Sequence, residues 1–504
     1  MVFLAEKAPV FLQAPWAFVR LTRPGWCELI ARLDTTPAWA LLALWAEPKD
    51  VHAALYDEES GAFALVALAC PEGSFPSFSG ARPGAVRFER AIQDLVGLRA
   101  EGLEDQRPWL DHGQFPVRHP LAASPEDQPP VPRAATDYAF LPTQSNVVLH
   151  QIPVGPVHAG IIEPGHFRFH ANGETVVRLE ARLGYVHKGV EKLFEGKTPA
   201  EGARLACRIS GDSAVAHAVA FARSVESAVG VEAPPRAHAL RGIMAEVERI
   251  ANHLGDVGAI GNDAAFAFLL AVCGVERERT LEVAGACFGH RLMMDTVVPG
   301  GVTVDLAPES IERLRAWAAR LSHEAPRLES LYDSTSSLLE RTMTTGVVSA
   351  ALVHRFAAGG YVGRASARGF DARTAAPYPP YTDLDVTVPV FSEGDVDARM
   401  RVRLREIPAS LNLITALLDS LPEGPTGVPL PTRAGEGVAL VEGFRGEILT
   451  WTRLGADGRI KRCHPRDPSG LQWPLLEAAI EGNIVADFPL CNKSFNGSYS
   501  GHDL

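Results

Sequence analysis

The chain has 504 residues, of which 46% are hydrophobic and 21% are charged, and its formal net charge at pH 7 is −12. This length exceeds the usual size of a single hydrophobic core, so we expect two or three domains. The acidic balance argues against a nucleic-acid-binding protein, which normally carries a basic surface. Seven scattered cysteines without a CxxC pair indicate buried free thiols, and argue against an iron–sulfur cluster bound by this chain alone.

The most apolar stretches are too short to cross a membrane, which takes about 20 apolar residues. Residues 38–46 and 62–70 form short runs, and the longer run 264–275 is interpreted as a buried core helix. The first eleven residues contain Glu6 beside Lys7 and lack the apolar segment of a signal peptide. We therefore expect a cytoplasmic protein with no transmembrane segment of its own.

The N-terminal part, residues 1–120, is predicted to form a small α/β domain. Short apolar runs alternate there with helix-like stretches such as residues 87–98. Four prolines within residues 121–134, without apolar periodicity, indicate a stiff, solvated linker, which we place at residues 121–136. Residues 137–504 make up the second, larger domain.

The larger domain is predicted to begin with β structure and to continue as closely packed helices. Alternation on both sides of Asn172 and Gly173 is typical of a β-hairpin. Helices are predicted over residues 203–229, from Pro235 through Leu254, over residues 264–294 and over residues 410–421. The fold class is α+β: a small α/β domain, then a large, mostly helical domain with peripheral β structure.

Six segments, in order, resemble one superfamily, at residues 153–169, 184–192, 208–226, 246–254, 363–373 and 435–447. It comprises the large subunit of group 4, formate-hydrogenlyase-type [NiFe] hydrogenases and the 49-kDa-type subunit of respiratory complex I. Residues 88–98 and 107–121 resemble the 30-kDa-type complex I subunit, which hydrogenlyase-type chains carry fused at the front. The resemblance implies a subunit of a membrane-associated oxidoreductase complex that couples electron transfer to ion translocation.

The nickel site of such hydrogenases needs four cysteines in two CxxC pairs, because soft thiolates hold nickel and bridge it to iron. In this chain those positions are occupied by Ser210, Ser213, Ser498 and Gly501. A serine hydroxyl does not replace a nickel thiolate at neutral pH, and glycine offers no ligand atom. Cys207 and Cys491 lie nearby but out of register. We therefore expect no metal and no cofactor bound by this chain alone.

The complex I branch also lacks these cysteines and uses the vacated cavity as the inner end of a quinone chamber. The tyrosine that contacts the quinone in that branch falls on Gly211 here, and its partner histidine falls on Pro164. An aspartate that supports this histidine matches Asp263, and another histidine of the same loop matches His158. Quinone binding thus stays possible, but the usual pair of contacts is missing.

The remaining polar residues form the predicted site. Glu163 resembles a hydrogenase glutamate that relays protons from the metal, a role that suits a buried carboxyl with a raised pKa. Asp212 lies between two of the serines and would be a second titratable group in the cavity. Together with His166, His187 and His217, these carboxyls predict a proton path or a small polar pocket.

Each candidate also has a purely structural interpretation. Glu163 could cap a turn or pair with Arg168, and His217 could be a hydrogen-bonded core histidine. Asp212 and Ser213 suit the N-cap of the helix that follows, where Asp and Ser are favoured. The charges at Glu246, Glu248 and Arg249 are predicted to lie on a solvated or partner-facing helix surface.

Three functions stay open. The first is the redox subunit described above, for which the resemblance implies a small iron–sulfur partner with a [4Fe-4S] cluster, ion-translocating membrane-arm partners, and a place on the inner face of the cell membrane. The second is a non-catalytic structural or coupling subunit of such a complex. The third is a true [NiFe] hydrogenase with altered ligands. No glycine-rich dinucleotide fingerprint is present, so any link to NADH would depend on partner subunits.

Overall fold

The computed structural model describes residues 10–13, 16–127, 140 and 148–504, the first four as backbone only. The signal-peptide prediction therefore falls almost entirely outside the described residues, and the predicted linker is described only as far as Asp127. Helices α1 to α16 span Arg23–Thr35, Ala85–Val96, Val190–Phe194, Pro199–Ala206, Ala214–Val229, Pro235–Asp263, Ala267–Phe288, Pro308–Asp333, Ser336–Thr342, Ala350–Phe356, Gly360–Ala365, Ala372–Ala375, Val396–Asp419, Ser469–Ala479, Phe488–Phe495 and Tyr499–Asp503.

The strands form several small sheets, which together with the helices confirm the α+β class. Strands β1 to β17 span Val10–Gln13, Trp16–Leu21, Trp39–Glu47, Asp50–Asp57, Ala62–Ala69, Ser74–Pro76, Arg99–Glu101, Val117–Arg118, Glu126–Asp127, His150–Val154, His166–Asn172, Thr175–Arg182, Val297–Val298, Gly301–Val302, Gly435–Gly443, Gly446–Leu454 and Ile460–Arg466.

The N-terminal sheet has the strand order β1-β2-β5-β4-β3, with β2 and β5 parallel and the other pairs antiparallel. Its central strands are apolar on both faces because both faces are covered. On one face, Leu41 and Leu44 pack with Leu29 of α1 and Ile92 of α2. On the other face, Trp45 and its neighbours pack against the β15–β16 hairpin of the larger domain. The short apolar runs of the sequence are thus strands of this sheet.

The larger domain is a bundle in which α5, α6, α7, α8 and α13 enclose one apolar core. The hairpin predicted around Asn172 and Gly173 is confirmed as β11 paired with β12, and Gly173 has the left-handed φ of 59° that such a turn requires. None of the described helices is both long and apolar enough to span a bilayer. All seven cysteines are free; six are buried as expected, whereas Cys27 is exposed.

The helix predicted over residues 203–229 is in fact two helices, α4 and α5, separated by a turn at residues 207–213. The glycine, serine and aspartate residues of this turn are unfavourable in the interior of a helix. The Nζ of Lys188 donates to the carbonyls of Arg208 and Ile209, at 3.0 and 2.8 Å, and so satisfies groups that a continuous helix would have used. The break brings the first pair of matched cysteine positions into a turn.

Two predictions about the burial of the helices are wrong. The run 264–275 is not a buried core helix: Phe268, Leu270 and Val275 are 59%, 39% and 51% exposed, because only one stripe of α7 packs on the bundle. Conversely, the charges predicted to be solvated are buried. Glu246 accepts hydrogen bonds from Tyr381, Ser410, Arg249 and Arg373, and Arg249 donates to the carbonyls of Glu442 and Gly443. Helix α6 lies inside the bundle, so its charges are paired within the protein.

Candidate functional site

Two serines 288 residues apart in the sequence meet in the folded chain. The Oγ atoms of Ser210 and Ser498 lie 2.8 Å apart, and both side chains are buried. Ser210 belongs to the turn between α4 and α5. Ser498 is the N-cap of α16, where its Oγ accepts the N–H of Gly501 at 2.9 Å, and its own N–H donates to Ser469. The two segments matched to the cysteine pairs therefore lie together.

An ion pair lies beside these serines. Arg445, from the turn between β15 and β16, donates from both terminal nitrogens to the carboxylate of Asp212, with Nη1 to Oδ1 at 2.7 Å. The same Nη1 is 3.3 Å from the Oγ of Ser213, and Ser210 donates to Asp212 at 2.8 Å. Burial opposes ionisation of Asp212, but the charge and hydrogen bonds of Arg445 prevail and hold the pKa of this carboxyl below its usual value. We call Ser210, Ser213, Ser498, Asp212 and Arg445 the serine–aspartate cluster.

A second buried pair closes the other side of Ser498. His217 on α5 is fully buried, and its Nε2 lies 2.9 Å from Oδ2 of Asp467, while Oδ1 of the same carboxylate accepts the N–H of Ser469. Burial would raise the pKa of Asp467, but the hydrogen bond and charge of His217, together with Arg445, hold it well below its usual range. A Cβ on Gly501 would lie 2.6 Å from the Cγ of Asp467, so this carboxyl fills the space that a side chain at position 501 would need.

Three family descriptions match consecutive parts of the chain. Residues 48–126 match "Respiratory-chain NADH dehydrogenase, 30 Kd subunit", residues 188–255 "Nickel-dependent hydrogenase", and residues 259–433 "Respiratory-chain NADH dehydrogenase, 49 Kd subunit". Formate hydrogenlyase subunit 5 of Escherichia coli K12 is 32% identical over 442 residues, 85% of this chain and 77% of the relative. The chain belongs to the family of hydrogenase large subunits and complex I 49-kDa subunits.

Both branches of the family, and a solved structure, resemble the chain over most of its length. The C/D component of the NADH-quinone oxidoreductase of Bacteroides fragilis is 30% identical over 436 residues, 82% of this chain and 82% of the relative. A chain of the membrane-bound sulfane sulfur reductase, described as an archaeal respiratory membrane complex, superposes with a TM-score of 0.67 at 25% identity, over 71% of this chain and 98% of that one. The family relationship therefore extends from the N-terminal module to the helical bundle.

The residues at the family's metal position do not fit a nickel–iron centre. Three of the four positions carry hydroxyls engaged in hydrogen bonds, and the fourth is a glycine packed on Asp467. Cys207 and Cys491 are elsewhere in the core, where burial raises the pKa of each thiol to about 11, so that both stay protonated. Within the described ranges, no group of three or more His, Cys, Asp or Glu side chains is arranged to hold a metal ion.

Glu163 is not the buried carboxyl that the sequence suggested. It is exposed, because the β10–β11 loop that carries it lies at the surface, and its Oε2 accepts the N–H of Ser500 at 3.0 Å. This contact agrees with the alternative that Glu163 caps a turn, here the first turn of α16. Arg168 does not pair with it in the hydrogen bonds of the described residues; it donates instead to Gln151 and to His166.

The other predicted histidines lie around the C-terminal segment without forming a chain of contacts. His158 Nε2 is 3.1 Å from the hydroxyl of Tyr499, and His187 Nδ1 is 2.8 Å from the carbonyl of Asp503. His166 Nδ1 instead contacts the carbonyl of Gly155 at 3.2 Å. Burial lowers the pKa of both His158 and His166, which favours their neutral forms. No hydrogen bond in the described part of the chain joins His166, His187 and His217 to one another.

Asp263 is the last residue of α6. It is half-buried, and burial raises the pKa of its carboxyl, while a hydrogen bond with Asn262 and the charge of Lys493 act in the opposite direction. No hydrogen bond among the described residues connects it to the cluster. The two positions matched to quinone contacts, Gly211 and Pro164, are exposed and half-buried respectively.

Three residues of the site were missed in the sequence: Arg445, Asp467 and Glu248. The carboxylate of Glu248, on α6, accepts the N–H groups of Val215 at 2.7 Å and Ala216 at 3.0 Å, and so caps α5 from another helix. Ser213 holds the N-cap position as predicted, but its side chain makes no capping bond. Burial raises the pKa of Glu248 to about 8. Arg445 lies in a segment already matched to the family, but its partner 233 residues away could not be read from that match.

Proposed function

We propose that the chain is a subunit of a membrane-associated, complex I-like and hydrogenase-related oxidoreductase complex, in which the family's metal position is rebuilt as a hydrogen-bonded polar site. The contact between Ser210 and Ser498, closed by Asp212 and Arg445, is the observation that carries this proposal. It places the two family segments together, yet presents hydroxyls and an ion pair where thiolates would be needed.

The partners follow from the relatives. Their names describe parts of a formate hydrogenlyase and an NADH-quinone oxidoreductase, and the solved structure is described as a respiratory membrane complex, so this chain has partners in a membrane arm. The finer proposal adds a small iron–sulfur subunit, whose [4Fe-4S] cluster faces the serine–aspartate cluster, and a place on the inner face of the cell membrane. Quinone as the acceptor of the whole complex belongs to the same proposal.

The side chains of the serine–aspartate cluster can hold and relay a proton. Asp212 stays ionised beside Arg445 and accepts a hydrogen bond from the hydroxyl of Ser210, while the hydroxyls of Ser210 and Ser498 are within hydrogen-bond distance of each other. Ser498 continues to Ser500 at 3.4 Å. This row of hydroxyls offers a proton near Asp212 a short route toward the C-terminal segment. Asp467 is linked to this row through Ser469, whose N–H donates to Asp467 and whose Oγ accepts the N–H of Ser498.

The complex is isolated from membranes through a tag on this chain, and its iron and nickel are measured by mass spectrometry. We expect iron–sulfur and membrane-embedded partners to co-purify, with nickel far below one atom per chain. One nickel per chain would contradict the proposal and favour a [NiFe] hydrogenase with altered ligands.

The second candidate, a non-catalytic coupling role, is favoured by the hydrogen bonds and the ion pair that engage the side chains of the cluster with one another. Asp212→Asn distinguishes the two, because it removes the charge while keeping the shape. A role in proton transfer predicts a loss of at least about tenfold in NADH- or quinone-dependent turnover of the membranes. Glu309→Gln, at an exposed carboxyl of α8 outside the cluster, serves as the matched control. Unchanged turnover in Asp212→Asn would leave the coupling role.

A further inference from the structure

A cavity of about 240 Å³ adjoins the serine–aspartate cluster and has no part in the function proposed so far. Its walls combine apolar side chains with five polar ones, contributed by the turn before α5, by α6, by α7 and by the turn after α7. The polar residues are Asp212, Glu248, Asn252, Arg277 and Arg291. The volume lies below the ~300–1,000 Å³ of sites for drug-sized ligands, so an occupant smaller than those ligands is indicated.

Gly211 lines the cavity and leaves free space where another residue would have a side chain. A Cβ built on Gly211 meets no atom within 4 Å, and Gly211 is not among the residues of the described chain that have a left-handed φ. The glycine is therefore required neither by a close approach nor by the turn. A large side chain at this position would project into free space and reduce the cavity.

The balance of charge in the cavity is positive. Asp212 is neutralised by Arg445, and the raised pKa of Glu248, about 8, keeps that carboxyl largely protonated at neutral pH. Arg291 is paired with Glu278 at 2.7 Å. Arg277 differs: its stem lies over Gly255 of α6, and no hydrogen bond or ion pair of its guanidinium is found among the described residues.

We infer that this cavity binds a compact anion, with the guanidinium of Arg277 as its counter-charge. A planar guanidinium with free N–H donors suits bidentate binding of a small oxyanion such as formate, sulfate or thiosulfate. The inference rests on the proposed function in one respect only. It places the anion beside Asp212, so that protonation of the anion would be coupled to the serine–aspartate cluster.

The test is calorimetric titration of the full chain with formate, sulfate and thiosulfate in chloride-free buffer of low ionic strength. At least one anion should bind saturably at up to about 10 mM. Arg277→Gln should weaken that binding by at least about tenfold, since it removes the charged partner. Arg279→Gln is the matched control on the same helix; Arg279 is 51% exposed and paired with Glu276, so its loss should change the affinity by less than about twofold.

Gly211→Tyr provides a second, independent variant, which should fill the cavity and abolish binding while leaving the circular dichroism spectrum unchanged. Absence of saturable binding for all three anions would overturn the inference. So would an affinity that Arg277→Gln leaves intact, or wild-type binding by Gly211→Tyr, because the anion would then lie elsewhere. The nickel measurement is unaffected by any of these results, so a failure here is distinguishable from a failure of the proposed function.

Discussion

Arg445 joins its own hairpin to two other segments at the serine–aspartate cluster, since its guanidinium donates to Asp212 and Ser213 of one turn and to the carbonyl of Asn496. Arg445→Met keeps much of the volume but leaves Asp212 without its cation. Because Arg445 is buried while the Asp212 side chain is 37% exposed, we expect the free energy of unfolding in urea to fall by about 2–3 kcal/mol at pH 7. Arg279→Met, at an exposed pair, should cost less than about 1 kcal/mol.

The same substitution has a defined pH dependence. Asp212 has a lowered pKa when folded, so its pairing stabilises the chain fully above the unfolded pKa of about 3.9 and loses that effect as the pH falls through the folded pKa. The difference between wild type and Arg445→Met should therefore shrink below about pH 4. An equal difference at acidic and neutral pH would show that Arg445 acts through packing alone.

Glu248 titrates in the opposite sense. Its folded pKa of about 8 lies above the unfolded value of about 4.3, so the folded chain keeps a proton that the unfolded chain releases. The free energy of unfolding that this group contributes therefore falls as the pH rises from about 4.3 to about 8. Glu248→Gln does not titrate, and its stability relative to wild type should increase across that window in urea unfolding series. Glu309→Gln, at an exposed position on α8, should show no such trend; a flat difference for Glu248→Gln would contradict the assignment.

At the scale of elements, α16 packs closely against Asp467 because Gly501 has no side chain. Gly501→Ala would force the helix away from the buried Asp467–His217 pair, and overpacking of this kind costs about 1–3 kcal/mol. Gly211→Ala is the matched control, since its Cβ meets no atom, and it should change the free energy of unfolding by less than about 0.5 kcal/mol. Equal costs for the two substitutions would refute the packing argument. The same clash should prevent Gly501→Cys from restoring a thiolate ligand.

What the sequence could foresee differs from element to element for physical reasons. The turn at Asn172 and Gly173 depends on local backbone preferences, so it was readable. The break at residues 207–213 depends on its glycine, serine and aspartate and also on Lys188, which donates to the carbonyls of this turn from another segment. A sequence pattern does not show that second contribution. The convergence of Ser210 and Ser498 followed from the family resemblance, whereas the pairing of Arg445 with Asp212 is a tertiary contact without a local signal. Glu246 and Glu248 looked solvated because a charge pattern cannot reveal that partners from other elements bury it.

At the scale of the whole molecule, the N-terminal module and the larger domain share buried contacts across their boundary. Trp45 of β3 is stacked between His52 of β4, at 5.4 Å, and His464 of β17, at 5.3 Å, and it also packs against Trp451. Glu47 pairs with Arg453 and Glu58 with Arg368, each pair linking the module to the larger domain. These contacts predict that the N-terminal module and the larger domain unfold together. The domain boundaries at residues 120 and 137 stay a prediction.

Trp45→Ala tests this coupling, because it removes the ring that both parts bury. We expect a loss of about 3–5 kcal/mol, as for other buried tryptophans. Hydrogen exchange should then accelerate in β3 to β5 and, equally, in β15 to β17, since both sides lose the same packing partner. Trp39→Ala, at a half-buried position of the same strand, should accelerate exchange mainly within the N-terminal sheet. If Trp45→Ala loosened only that sheet, the two parts would be independent in stability, and the shared core would serve orientation rather than folding.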